Sequence, residues 1–215
     1  MIAAPGRRLL SAAAVAVLAA ATAGCAGGGT ASTHDDNPGL VLINTSKYKG
    51  NIITPVVKPT MALTDTAGKP FDIRAMTPGG VTLLFFGYSH CPDECPLTMA
   101  STAAALRMLP AAQRAKIMVL FVTVDPARDT LARLRSWLGR FNPAFIGLRG
   151  TEAQVQAAAR QTGIPVSSVL LEHGTEMLAY GTDNIAHEAF FPNTPPASMA
   201  NDLRLLVSGH HPYSP

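Results

Sequence analysis

The sequence predicts an α/β domain with a central mixed β-sheet flanked by helices. Two observations carry this. Val81–Tyr88 and Ile117–Val124 are unbroken apolar runs, as expected of strands covered on both faces, and the stretch between them repeats its apolar residues at helical spacing. Towards its end the chain changes character: two apolar stretches flank a Gly-Thr-Asp-Asn turn, and a last amphipathic helix follows.

In chain order, residues 1–25 have the form of an export signal. Arg7 and Arg8 precede the apolar stretch Leu9 to Ala21, and small residues lead into Thr22-Ala23-Gly24-Cys25. The stretch is too short for a comfortable membrane span. A Cys directly after Ala-Gly resembles the bacterial lipoprotein cleavage box, although Thr22 stands where Leu is usual. That resemblance implies acylation of Cys25 as the first mature residue. The protein is then exported and lipid-anchored to the outer face of the cytoplasmic membrane. Residues 26–50, rich in Gly, Thr, Ser, Asp and Asn, read as a flexible tether interrupted by Val41-Leu42-Ile43. Residues 51–209 are long enough for one domain with a substantial core.

Within that domain, Thr60–Leu63 and Phe71–Ile73 flank Asp65-Thr66-Ala67-Gly68 as a hairpin. Val81–Tyr88 is the first long strand. Cys95, Met99, Thr102, Ala103 and Leu106 mark the helix after it, with Asp93 able to cap its start and Pro96 tolerated in its first turn. Ile117–Val124 is the next strand, so the two strands form a right-handed parallel crossover. A helix near Thr130–Leu138 turns Leu131, Leu134 and Leu138 to one face. Another begins at the capping-box pattern Thr151-Glu152-Ala153-Gln154 and stops at Gly163. Thr175–Tyr180 and Ile185–Phe191 form the terminal hairpin, and a helix over Pro195–Val207 carries Met199, Leu203 and Leu206 inward. A β-α-β unit joined to a terminal hairpin and helix is the thioredoxin-like arrangement.

The chemistry of the chain centres on Cys91-Pro92-Asp93-Glu94-Cys95-Pro96, directly after the first long strand. Export places the domain in an oxidising compartment. After removal of the signal, Cys91 and Cys95 are the only internal thiols of the three cysteines. A single close pair is not a disulfide scaffold, so it serves chemistry, as a metal site or as a redox disulfide. Cys95 in the first helical turn gains from unpaired N–H groups and the helix dipole, which favour a thiolate. The i,i+4 spacing brings the Cβ atoms to about 5–6 Å. Two thiolates make half of a tetrahedral site or two thirds of a trigonal one. Soft sulfur favours copper(I), while a structural zinc site usually takes four protein ligands. The missing ligand is then a His or Met from elsewhere.

Of six His residues, His34 lies in the tether, and His210 and His211 lie in a short tail, all expected in solvent. His90 should point away from Cys91, and His187 reads as a surface residue of a hairpin strand. His173 precedes the hairpin, in a loop that packs against the start of the Cys helix in such folds. Pattern alone supports a third ligand and a loop His without a role equally. Met99 and Met177 have core spacing. Asp125 reads as part of a strand-end turn. A net charge of +3, with no basic cluster or aromatic ladder, gives no sign of a nucleic-acid partner.

The run Leu83-Leu84-Phe85-Phe86-Gly87-Tyr88-Ser89-His90-Cys91-Pro92-Asp93-Glu94-Cys95-Pro96 resembles the signature of the Sco/SenC family of copper proteins that assist cytochrome c oxidase assembly. Phe121–Thr130 and Phe145–Gly150 are similar to the same family, in the same order and spacing. The resemblance implies that Cys91, Cys95 and His173 bind copper, as Cu(I) or Cu(II), and that Cys91 and Cys95 form a disulfide when oxidised. His173 corresponds to the His of the family's Val-Asp-His-Ser-like segment. It also implies a metallochaperone, not an enzyme, that passes copper to the binuclear site of cytochrome c oxidase subunit two or another copper-accepting protein.

The alternative is a dedicated thiol–disulfide oxidoreductase that keeps the acceptor's cysteines reduced. Three residues between the cysteines, and no Pro between Val166 and Phe191 where a thioredoxin keeps its cis-Pro, argue against a general one. A peroxiredoxin needs a Thr three residues before its reactive Cys, where this chain has Tyr88.

Overall fold

A computed structural model describes residues 47–167 and 172–213. The signal, Cys25, His34 and all but the last four tether residues lie outside them. The elements in order are β1 (Asn51–Val57), β2 (Ala62–Asp65), β3 (Pro70–Asp72), β4 (Val81–Gly87), α1 (Glu94–Arg107), α2 (Ala111–Arg114), β5 (Ile117–Thr123), α3 (Leu131–Gly139), β6 (Ile146–Arg149), α4 (Glu152–Thr162), β7 (Val166–Ser167), β8 (Glu172–His173), β9 (Met177–Tyr180), β10 (Ile185–Phe190) and α5 (Pro196–Val207).

The main sheet has the order β1-β10-β9-β4-β5-β6-β2-β3, and β7 and β8 form a separate ribbon. β4 pairs in parallel with β5 over its full length, and β5 with β6; the other pairings are antiparallel. The sheet is therefore mixed, with helices on both faces, as the sequence predicts. The two apolar runs take its centre because only there are both faces of a strand covered. Leu83 and Phe85 of β4 face α1, α3 and α5, while Leu84 and Phe86 face the side covered by α4.

The sequence signals that came true are local ones. Thr151 accepts from the Gln154 N–H in a complete capping box, and Gly163 ends α4 in the left-handed region at φ 72°. Met99 and Met177 are core residues. β1 is the strand that periodicity did not announce. It pairs with β10, with an irregular register between Ile52 and Val56, which masks alternation.

The packed domain also begins before residue 51. Tyr48 is buried, and the N–H groups of Lys49 and Gly50 donate to the Asp202 carboxylate on α5 at 2.8 and 2.5 Å. Asn51 shares a shallow depression with Glu94 and Leu97 of α1 and with Phe191, Pro192 and Asn193. The start of β1 and the start of α1 thus lie at one end of the sheet.

Beside Asp202 lies Glu188 of β10, fully buried. Burial, reinforced by the neighbouring Asp202 charge, pushes its carboxyl well above the usual range. The folded protein therefore holds this proton more tightly than the unfolded chain. The contribution is fully present below the ordinary Glu value of about 4.3 and is lost as pH rises towards the folded value. Glu188→Gln should flatten the fall of Tm with pH and raise Tm at neutral pH, as read by thermal melts over a pH series. An unchanged slope would contradict this.

Candidate metal centre

The site is built at the C-terminal end of β4, where the chain leaves the sheet and enters α1. Gly87, the last residue of β4, has no side chain because nothing would fit: an added Cβ would lie 2.9 Å from Cys95 Sγ and 2.7 Å from the Phe85 ring. That space lets Cys95, in the first turn of α1, turn its sulfur down onto the end of the strand, where it is fully buried. Cys91, in the preceding loop, is half-buried, and its sulfur accepts the Cys95 N–H at 3.5 Å. Asp93 occupies the N-cap position as expected, but its side chain makes no capping bond. The Cys91 sulfur takes one of the helix's unpaired donors instead.

His173 reaches the pair from the other side. Its backbone is fixed on the β7–β8 ribbon by pairing with Val166 and by the Gly174 N–H, which donates to Pro165 O at 2.9 Å. Its ring stands edge-on to Phe85 and Tyr88, with centroids 5.8 and 5.6 Å away. His173 Nδ1 lies 2.9 Å from Gly174 O, which can only accept, so Nδ1 carries the proton. Nε2 is left with its lone pair, 3.7 Å from Cys95 Sγ. A donor atom from each of Cys91, Cys95 and His173 lies within 4.8 Å of the other two. Among the described residues no other His, Cys, Asp or Glu joins this group.

The loop between β4 and α1 is held from below by Asp129, which is fully buried. Its carboxylate accepts from Ser89 N at 2.9 Å, Ser89 Oγ at 2.5 Å and Thr123 Oγ1 at 2.7 Å, and Arg133 Nε donates to the same Ser89 hydroxyl at 2.8 Å. His90 turns away from the cysteines, as the sequence predicts. Its Nε2 lies 3.3 Å from Asp125 Oδ2, and its ring packs on Tyr88. Asp125 belongs to the turn after β5 and also holds Arg128. Sequence reasoning assigned no role to Asp129, Gly87 or Tyr88. The signals for Asp129 were its place in the family-like run Phe121–Thr130 and just before Thr130, the N-cap of α3.

Three expectations are corrected. His187 is not a surface residue. It is 5% exposed, because β1 pairs along β10 and the tail packs over it. His211 is not free in solvent but stacks on His187, ring centroids 4.3 Å apart; His210 is exposed as expected. The thiolate expected at Cys95 is also outweighed. Burial pushes the Cys95 thiol up, and the hydrogen bond from the Tyr88 backbone only partly offsets this. A neutral thiol held against an imidazole lone pair is poised to exchange its proton for a soft cation, since coordination itself deprotonates a thiol. Two sulfurs and one nitrogen, with the second imidazole nitrogen tied to a backbone carbonyl, make a donor set that suits copper(I).

The SCO1/SenC family model matches residues 53–208. A putative copper-binding protein of Stutzerimonas stutzeri is 36% identical over 107 residues, which cover 50% of this chain and 52% of that protein. Protein SenC of Rhodobacter capsulatus is 34% identical over 137 residues, 55% of this chain and 61% of that one. The mitochondrial protein SCO2 of Saccharomyces cerevisiae is 41% identical over 99 residues but is matched over only 33% of its length. Among solved structures, copper-bound ScoI of Bradyrhizobium japonicum is 26% identical with a TM-score of 0.62, covering 70% of this chain and 99% of that one. Apo Sco1 of Thermus thermophilus is 26% identical with a TM-score of 0.64, covering 74% and 96%.

The buried Asp129 network makes a direct prediction. Asp129→Ala leaves Ser89 N, Ser89 Oγ and Thr123 Oγ1 without their acceptor and should cost about 3 kcal/mol. Denaturant unfolding measures this, and an unshifted midpoint would show that the network carries no stability.

Proposed function

Because this chain belongs to the SCO1/SenC family, we propose that it is a copper metallochaperone whose cargo is held by Cys91, Cys95 and His173. The observation that carries this reading is the His173 tautomer. Its Nδ1 proton is fixed on Gly174 O, so the lone pair of Nε2 is aimed at the cysteine pair. A redox pair has no need of such an imidazole, whereas a trigonal copper(I) site does.

Cys95 and His173 are the anchoring side of the site, one buried and one on the ribbon, and Cys91 is its open side. An acceptor thiol can approach along Cys91 and displace the ligands one at a time, so copper passes by exchange without being released to water. The acceptor is the binuclear copper site of cytochrome c oxidase subunit two or another copper-accepting protein; the family's role in oxidase assembly supports this choice. Copper(II) would add an oxygen ligand such as water. Copper and a disulfide compete for the same two sulfurs, so the oxidised pair binds no metal.

The second reading is a dedicated thiol–disulfide reductase of the acceptor. What favours it is the asymmetry of the pair: Cys91 is accessible and Cys95 is buried, as attacking and resolving thiols are arranged. The two readings separate on His173. The reduced domain should bind one copper, and Cys91→Ser with Cys95→Ser should abolish binding. His173→Ala should weaken copper binding by at least about tenfold while the disulfide still forms. Metal analysis with parallel thiol titration reads both quantities. Unchanged copper affinity in His173→Ala would move the third ligand elsewhere, with His90 tested next.

Export and anchoring through an acylated Cys25 complete the proposal. Each buried methylene contributes about 0.8 kcal/mol, so several acyl chains hold the protein firmly at the outer face of the cytoplasmic membrane. Cys25→Ala should move the protein to the soluble fraction with copper binding intact. A variant that stays with the membrane would mean that the apolar segment itself is retained.

A further inference from the structure

A second group of metal-ligating side chains lies at the other end of the sheet, where the β9–β10 turn meets the C-terminal segment. Asp183 is in the turn, His187 is on β10 and His211 follows α5. A donor atom from each lies within 4.8 Å of the other two. This is the only group besides the cysteine centre that the described residues form. Gly87, beside the cysteine pair, is five residues along β4 from Thr82, which pairs with Tyr180 just before the turn. At about 3.3 Å per residue the two ends are some 16 Å apart, so the groups cannot share an ion.

His187 Nε2 and Asp183 Oδ2 are 2.8 Å apart, joined by a proton. The other carboxylate oxygen, Oδ1, accepts from the Ile185 N–H at 3.0 Å, which holds the side chain over the turn. Asp183 is exposed in the turn, so an ion can reach this contact from solvent. His187 Nδ1 is buried and has no hydrogen-bond partner, so nothing else dictates which ring nitrogen carries the proton. The His211 ring lies over His187, nearly parallel at 13°. His187 is locked in the sheet, whereas His211 is half-exposed and sits beyond Gly209, which ends the helix at φ 79°. The tail is kept in place by the Tyr213 hydroxyl, which donates to Ile53 O at 2.9 Å.

We propose that Asp183, His187 and His211 form a second metal site, for a borderline divalent cation such as zinc. The cation takes the place of the proton between His187 Nε2 and Asp183. His211 turns out of the stack to give the third ligand, and water fills the fourth position of a tetrahedron. Ligand bonds of about 2.0–2.2 Å require the imidazole–carboxylate contact to open by about half an ångström, and a surface turn can supply that movement. The His187 ring keeps one proton as the ion binds: it moves from Nε2 to Nδ1, so the ring stays a neutral imidazole with Nε2 free to ligate. Two nitrogens and an oxygen, without sulfur, select a borderline divalent cation over copper(I), so the two centres differ in the metal they prefer. Occupancy ties the C-terminal segment to the β9–β10 turn.

The test uses the full chain carrying Cys91→Ser and Cys95→Ser, which removes the cysteine centre and makes the result independent of the copper reading. Zinc(II) alone is titrated by calorimetry, and cobalt(II) replaces it for the visible spectrum. The expected result is one zinc per chain, a tetrahedral cobalt spectrum and a rise in Tm with zinc concentration. His211→Phe keeps a ring over His187 but offers no donor. Asp183→Asn keeps the bond to Ile185 N. Each should weaken zinc binding by at least about tenfold. No zinc bound by the parent chain, or undiminished affinity in both variants, would overturn the proposal.

Discussion

Ser89, Thr123 and Arg133 belong to three separate parts of the chain, and the buried carboxylate of Asp129 draws them together. Ser89 starts the loop that carries Cys91, Thr123 ends the central strand β5, and Arg133 is in the first turn of α3. A buried charge is tolerated only when its lone pairs are filled, and here each donor comes from a segment that must be placed for the site to exist. The interaction thus converts the cost of burying a carboxylate into a constraint on geometry. If the loop moved by an ångström, Asp129 would lose two of its donors, and Cys91 would no longer sit over the start of α1.

Much of the fold was legible because its signals are short-range. The runs at Val81–Tyr88 and Ile117–Val124 needed no knowledge of the rest of the chain, nor did the Thr151–Gln154 capping box or the Asp183-Asn184 turn. Asn184 at φ 63° adopts the backbone that its residue type favours. β1 was illegible for the opposite reason. Its identity as a strand rests on pairing with β10, more than a hundred residues later, and its irregular register hides the alternation that would have revealed it. The error at His187 follows from the same omission. With β1 unseen, β10 looked like the outer strand of a hairpin, and a His on an outer strand belongs in water.

At the metal centre the cysteines could be read directly, while His173 could be read only through family likeness. The reason is physical. Cys91 and Cys95 are neighbours along one helical turn, but His173 meets them through the β7–β8 ribbon, which places it 78 residues away in sequence and 3.7 Å away in space. Asp93 shows the reverse failure. Residue type and position both name it as a cap, yet the sulfur of Cys91 occupies the donor it would have taken. Helix-dipole reasoning, likewise, was right about where Cys95 sits and wrong about which effect dominates there, because full burial outweighs a partial charge.

Asn51 enters the sheet beside the first turn of α1, so the start of β1 lies at the end that carries the cysteines. Any body swinging on a leash sweeps out a volume set by the lever arm between its hitching point and the part that must make contact. For a leash that joined this domain ahead of residue 47 the arm would be short, because Asn51 lies beside Glu94 and Leu97 of α1. If the domain is suspended from the residues before Tyr48, as the anchoring proposal has it, the reactive end stays close to the point of suspension however the domain tumbles. Attachment at the opposite end would have made the same leash search a far larger volume, with the reactive end at its periphery.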